Sequence, residues 1–425
     1  MSRTTTRTGA AVLLALALAA TGCSTKAKTT DTGGGTAAGG VKTGPGVTAS
    51  TITLGVLTDE SGVFASLGKT VSQGNQLGVD ELNAAGKICG RTIELDVKDH
   101  GYDVQKAASL YAAQAPKVAG VLQLLGSPMT TALLPNLATD HMLAATATWA
   151  STLLKSNDIQ ISGATYDIEM VNGISYLVDQ KKINKGDKIG HIYFEGAYGA
   201  NGLAGSTYAA SKLGLTVVPV QVKATETDMS AAVNKLKGEG VKAIMLTVGP
   251  KQTGSAVGAA AAAGLDVPFL GNNPTYSPLL LGVKGLGPLL EKNFYLSASF
   301  SPLSADNPVE KKLLAAFEAK YSGQEANAGV SYGYGVAKIY GQTLKAACDA
   351  KDLSREGIEK AFRTLTNVTT DGVIAPLDYS KPGEIPSRQT YVIRPSLANI
   401  KIDGLKVEKE LFESDIAKGY TVPSS

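Results

Sequence analysis

Thr51-Ile52-Thr53-Leu54-Gly55-Val56-Leu57-Thr58 is the run on which the fold of this chain turns. Short, aliphatic and β-branched, it reads as a strand over 52–58. The stretch after it predicts a helix over 69–85, then a second strand over 91–98, where Ile93, Leu95 and Val97 alternate. Strand, helix and strand in that order is the pattern of parallel βαβ construction. The pattern goes on: a helix over 104–115, a near-continuous apolar strand over 118–125 suited to burial on both faces, a helix over 128–140 and a strand over 142–146.

A second series of the same kind starts near Asp167. Helices are expected over 167–181, 201–213, 228–239 and 251–263, with strands over 188–194, 216–222, 241–248 and 267–270 between them. The remainder is not a third series. It has helices over 308–321, 331–350 and 355–364 in succession, then short strands near Ile374, over 391–393 and over 400–402. Such a segment completes lobes already begun, so the expected class is α/β: two doubly wound open-sheet lobes joined by a three-strand hinge. The first lobe is expected over 49–165 and 300–378, the second over 166–299 and 379–425.

The first 22 residues have a basic start with Arg3 and Arg7, then an apolar stretch over 10–20 that is too short for a bilayer, which needs about 20 residues. This is the layout of a secretory signal. Ala20-Thr21-Gly22-Cys23 resembles the lipobox of bacterial lipoproteins, in which the Cys is lipidated and becomes the new amino terminus. Residues 23–48, with Gly33-Gly34-Gly35 and Gly39-Gly40 among Thr, Lys and Ala, read as a flexible tether. Removing Arg3 and Arg7 from 40 basic residues leaves 38 against 37 acidic ones. That balance, with no basic cluster interleaved with aromatics, gives nucleic acid nothing to bind.

Open parallel sheets bind ligands outside the carboxyl ends of their strands, so the residues there are the candidates. Ser127, ahead of Pro128, reads as a helix cap whose free N–H groups favour an anion; it either holds a ligand carboxylate or only caps. Ala147, Thr148 and Trp149 follow the next strand, and the lone Trp reads as core or as binding platform. In the second lobe Glu195 and Tyr198 follow a strand among glycines at 196, 199, 202 and 205, which lack dinucleotide spacing. No H-E-x-x-H, G-x-S-x-G or Walker motif occurs. The three His are scattered, so neither an enzyme nor a metal or cofactor site is expected. Outside the cytoplasm Cys89 and Cys348 either pair, tying the returning segment to the first lobe, or stay as buried thiols.

The run 51–58 with Ser61-Gly62, Gly68, Val79-Asp80-Glu81-Leu82-Asn83-Ala84-Ala85-Gly86 and Lys98-Asp99 resembles the opening of type I periplasmic binding proteins, most of all the leucine/isoleucine/valine- and amide-binding branch. Tyr198-Gly199 and Tyr332-Gly333-Tyr334 are further landmarks, and the likeness runs from Thr51 to about Ile402. The resemblance implies a solute held between the lobes: Ser127 on its carboxylate, Ala147 and Trp149 in the loop that also touches it, Tyr198 closing the pocket. Where amino-acid-binding members carry a Glu for the ligand ammonium, this chain has Asn273. Either Glu195 or Asp167 then pairs with an ammonium, or the ligand has none. Leu67 stands where an aromatic is frequent and Trp149 where Thr is common, which suits a ligand with a flat apolar part.

The expectation is therefore the solute-capture lipoprotein of an ABC importer, a monomer anchored through Cys23 on the extracytoplasmic face of the cell membrane, partnered by a permease and its ATPase. The ligand expected is an amino acid or related small carboxylate, with an amine-free or aromatic acid or an amide as the alternative. A sensory receptor of the same fold is the second alternative.

Overall fold

A computed structural model describes residues 36–37 and 40–422. The signal segment, Cys23 and most of the tether lie outside the described residues. Strands β1 (Thr36–Ala37) and β2 (Val41–Thr43) form a short ribbon.

The first series folds as β3 (Thr51–Thr58), α1 (Ala65–Ala85), β4 (Thr92–Asp99), α2 (Val104–Gln114), β5 (Gly120–Leu125), α3 (Ser127–Asp140), β6 (Ala144–Ala147) and β7 (Ile159–Ile161). Its sheet has the order β4-β3-β5-β6-β7, parallel throughout. Every residue of β5 and β6 is buried while the edge strand β4 is half open, as expected of a parallel sheet covered on both faces.

The second series gives α4 (Tyr166–Asp179), β8 (Lys188–Phe194), α5 (Ala197–Leu213), β9 (Thr216–Val222), α6 (Ser230–Gly238), β10 (Ala243–Thr247), α7 (Pro250–Ala262), β11 (Phe269–Asn272), α8 (Leu286–Asn293) and β12 (Phe294–Ala298). The order β9-β8-β10-β11-β12 repeats the winding of the first sheet. The chain then returns through α9 (Pro308–Lys320), α10 (Ala328–Asp349), β13 (Asp352–Leu353) and α11 (Arg355–Phe362), with β13 beside β2. Finally β14 (Thr390–Pro395) and β15 (Leu405–Phe412) add two antiparallel strands to the second sheet, and α12 (Asp415–Lys418) follows.

Helix α10 packs on α1 backbone to backbone. A Cβ at Gly333 would lie 2.1 Å from the Val71 carbonyl oxygen, and one at Gly74 2.1 Å from that of Val330, so only glycine fits. Beyond the carboxyl end of α1, Cys89 is bonded to Cys348 of α10, with Cα atoms 5.7 Å apart. Of the two states left open for these thiols, the structure has the disulfide.

The chain crosses between the lobes three times, at 162–165, after β12 and before β14. The crossing after β12 pairs with the segment that leads to the third: Ser301 N–H donates to the Val373 carbonyl at 2.9 Å and Ala375 N–H to that of Ser299 at 2.8 Å. The Tyr379 hydroxyl donates to the Ile161 carbonyl at 3.1 Å, tying in the first sheet just ahead of the third crossing. Ile374 thus sits in a hinge bridge to Phe300 instead of a sheet strand. Residues 400–402 are not a strand either: the run follows a 3-10 turn at Leu397–Asn399, and Asn399 and Asp403 bond across the turn that leads into β15. Strands β7 and β12 were absent from the sequence reading.

Candidate functional site

In each sheet the first and third strands lie side by side, β3 with β5 and β8 with β10, and the helices that follow them leave in opposite directions around that crevice. The turns after these strands face one another. The first lobe supplies Phe64, Leu67, Tyr102, Leu125, Gly126, Ser127 and Ala147, and the second supplies Tyr166, Tyr198 and Pro274. They enclose a cavity of about 10 Å³, room for roughly one water molecule. A larger ligand enters only when the lobes or their side chains separate.

Local chemistry sets each wall. The Asp59 carboxylate accepts the N–H of Phe64 at 2.9 Å, which fixes the turn after β3. Gly126 has φ 98°, and a Cβ there would fall 2.9 Å from the Tyr102 ring, so glycine lets that ring close on the β5 turn. Tyr102 itself is at φ 61°, with its N–H bonded to His100 Nδ1 at 3.0 Å. Phe64 then stands 5.0 Å from Tyr102 and 6.2 Å from Tyr198 between ring centres, and Tyr166 stands 4.6 Å from Tyr198. Burial raises the phenol pKa of Tyr102, Tyr166 and Tyr198, so all three stay protonated. The Tyr198 hydroxyl donates to Asn272 Oδ1 at 2.9 Å and to the Val248 carbonyl at 3.2 Å.

Ser127 is the first residue of α3, and Gly126 takes the cap position. Its hydroxyl makes no cap bond, contrary to the capping reading; it bonds instead to the Thr148 hydroxyl. Ala147 lines the cavity. Trp149 does not: it is fully buried, donates to the Ser162 carbonyl at 3.2 Å, and packs among Tyr166, Phe300 and Tyr332. Of its two sequence readings, core is the one the structure has.

The two acids expected to meet an ammonium lie elsewhere. Glu195 is exposed and outside the cavity lining. Asp167 is buried and fully used within the protein, accepting from Ser151 at 2.5 Å, Asn201 Nδ2 at 2.9 Å, the Tyr420 hydroxyl at 2.9 Å and Thr165. Asn273 is held by Glu169, whose carboxyl accepts its Nδ2 at 2.9 Å and its N–H at 3.3 Å. Glu169 was not singled out from sequence, since an acid in the first turn of a helix reads as a partner of the helix dipole. His191 is bonded to Thr247 at 2.8 Å, and burial pushes it down to about 3, so it is neutral and structural. Among the described residues no group of three or more His, Cys, Asp or Glu could hold a metal, and no helix is long and apolar enough to cross a membrane.

A family model described as periplasmic binding protein matches residues 51–398, from β3 through β14. The chain belongs to the periplasmic binding protein family. This periplasmic binding protein is similar to a fatty acid ABC transporter substrate-binding protein from Thermomonospora curvata: 43% identity, TM-score 0.88, covering 92% of this chain and 99% of that one. At 17% identity and TM-score 0.76 it shares its fold with a branched-chain amino acid ABC transporter protein from Thermus thermophilus with bound valine, over 87% and 98% of the two chains. A leucine-binding protein from Thermotoga maritima matches at 19% identity and TM-score 0.72, over 86% and 99%. Among proteins with curated functions none matches in sequence. The protein is an ABC transporter substrate-binding protein.

Proposed function

We propose that this protein captures an amine-free carboxylic acid with an apolar body and passes it to the permease of its transporter. One observation carries the reading: none of the side chains that line the cavity is charged. An ammonium buried there without a carboxylate would cost several kcal/mol, whereas Phe64, Leu67, Leu125 and the tyrosine rings suit an alkyl or aryl chain. The acid's carboxylate belongs at the first-lobe end, against the Ser127 hydroxyl and the free N–H groups at the start of α3. The substrate named for the Thermomonospora curvata relative has this chemistry. The reading replaces the amino acid expected first with the amine-free alternative.

The lipid on Cys23 and the extracytoplasmic location belong to the same proposal and rest on the segment 1–23. Calorimetric titration of the full chain with octanoate and with 2-aminooctanoate tests the ligand class. Tight binding of octanoate alone is expected, and tight binding of the amino form alone would sink the reading.

A further inference from the structure

A second pocket lies at the hinge, away from the cleft, between the third crossing and the end of β15. Its volume is about 340 Å³, within the roughly 300–1,000 Å³ of small-molecule sites. One end of the crossing leans on the first lobe, where the Tyr379 ring stands 4.5 Å from that of Phe362. The other end is fixed to the second lobe: Asn172 of α4 donates to the Arg388 carbonyl at 2.8 Å and accepts the Ser414 N–H at 3.0 Å.

Five charged side chains line this pocket, Asp378, Glu384 and Glu413 against Lys381 and Arg388. Among the described residues none of the five is in an ion pair. Arg388 is the best oriented of them. Its Nη1 donates to the Ala417 carbonyl at 2.7 Å and to that of Tyr420 at 2.9 Å. Those bonds hold the guanidinium plane, while its Nε and Nη2 have no acceptor among the described residues. Two such neighbouring N–H groups form the fork that takes a carboxylate through parallel bonds. The half-buried Glu413 carboxyl likewise has no donor among the described residues, so it is free to meet an ammonium. Asp378 is already engaged by Ser380, which donates its N–H at 2.9 Å and its hydroxyl at 2.6 Å.

A lone anion here would face three carboxylates, and a lone cation would leave the Arg388 fork empty. Among the described residues no three acids converge as metal ligands do. A short molecule carrying both charges suits the lining. We propose that the hinge pocket is a second solute site, for a small zwitterion whose carboxylate sits on Arg388 and whose ammonium sits on Glu413. The site does not depend on the acid-capture reading, because its lining shares no residue with that of the cleft.

Calorimetric titration of the full chain with L-alanine tests the site, with propionate and ethylammonium as probes of one charge each. All titrations run in excess octanoate, so that the cleft is occupied. Alanine should bind, and each single-charge probe should bind at least about tenfold more weakly. Glu413→Gln removes no bond of the folded protein and should weaken alanine by about tenfold or more. Arg388→Gln should do the same; since its guanidinium also holds two carbonyls, a thermal melt accompanies it, and Glu413→Gln decides if that variant fails to fold. No binding of alanine, equal binding of all three probes, or unchanged alanine affinity in Glu413→Gln overturns the inference. Octanoate that fails to bind on its own sinks the acid-capture reading alone, and the Glu413→Gln comparison still decides this one.

Discussion

The hydroxyls of Ser127 and Thr148 bond to each other across the turns that follow two neighbouring strands. The first-lobe end of the cleft therefore offers linked hydroxyls beside the start of α3, with no charged group among the lining residues. Ser127→Ala removes the hydroxyl best placed for a carboxylate. A hydrogen bond to a charged group is worth about 1.5–3 kcal/mol, so octanoate affinity should fall by roughly 10- to 150-fold with little change in melting temperature. Calorimetry and a thermal melt on the same sample separate the two effects. An unchanged Kd would remove Ser127 from the site.

Asp167 is expected to behave in the opposite way. Its carboxylate accepts from Ser151, Thr165, Asn201 and Tyr420, so Asp167→Asn turns an amide donor toward donors. A buried polar group left unsatisfied costs about 1–3 kcal/mol, and the denaturation midpoint should drop by a matching amount. The preference between octanoate and 2-aminooctanoate should stay as it is. A changed preference would return Asp167 to the list of ligand residues.

The sheets and their switch points were legible because strand and helix periods differ and the runs at 51–58, 118–125, 188–194 and 241–248 are strongly apolar. Legibility failed where a short apolar run imitates a strand. Ile400-Lys401-Ile402 alternates like one but is bounded by Asn399 and Asp403-Gly404, which make a turn; the real strand, Leu405–Phe412, is an edge whose open side carries Lys406, Glu408 and Glu410. The site was half legible. Turn residues after strands point to Ser127, Ala147 and Tyr198 by topology alone. Asp167 and Glu169, two positions apart on one helix, carry the same charge in the sequence; only the packed structure shows that one is locked into a hydroxyl knot and the other holds Asn273.

The Cys89–Cys348 bond closes a loop across 259 residues and fastens the far end of the α1–α10 contact. Disulfides of this kind stabilise by roughly 2–4 kcal/mol. With an unfolding entropy near 2 cal/mol/K per residue, the double variant Cys89→Ala/Cys348→Ala should melt roughly 3–5 °C lower. Octanoate affinity should hold, since neither Cys is among the cavity-lining residues. Equal melting of the variant and the oxidised wild type would show that the glycine-mediated contact is sufficient alone.

Two buried carboxyls flank the hinge crossing that follows β12. Glu310 of α9 accepts from Ser331 at 2.7 Å and from Ser301 of the crossing, and burial, only partly offset by those hydroxyls, pushes it up to about 7. Asp403, in the turn between β14 and β15, accepts the N–H of Ser304 at 3.1 Å and that of Leu405 at 3.0 Å, and burial pushes it up to about 6. A raised acid pKa in the folded state means that the native protein holds more protons than the unfolded chain between about pH 4.5 and about pH 7, so stability from Glu310 falls as pH rises through that window and is level above it. Glu81 acts elsewhere: burial would raise it, but bonds from Lys338, Lys312 and Tyr334 prevail and hold it near about 2, so its contribution is lost only at lower pH. The buried His191, pushed down to about 3, opposes Glu310 over part of the window, because protonating it favours unfolding as pH falls. The quantity to measure is therefore the difference between wild type and Glu310→Gln in urea midpoint at several pH values. The wild type should lose ground to the variant steadily from about pH 4.5 to about pH 7 and hold a constant gap above that. A difference independent of pH would mean that Glu310 stays ionised beside Ser301 and Ser331, and that the hinge carries a fixed charge.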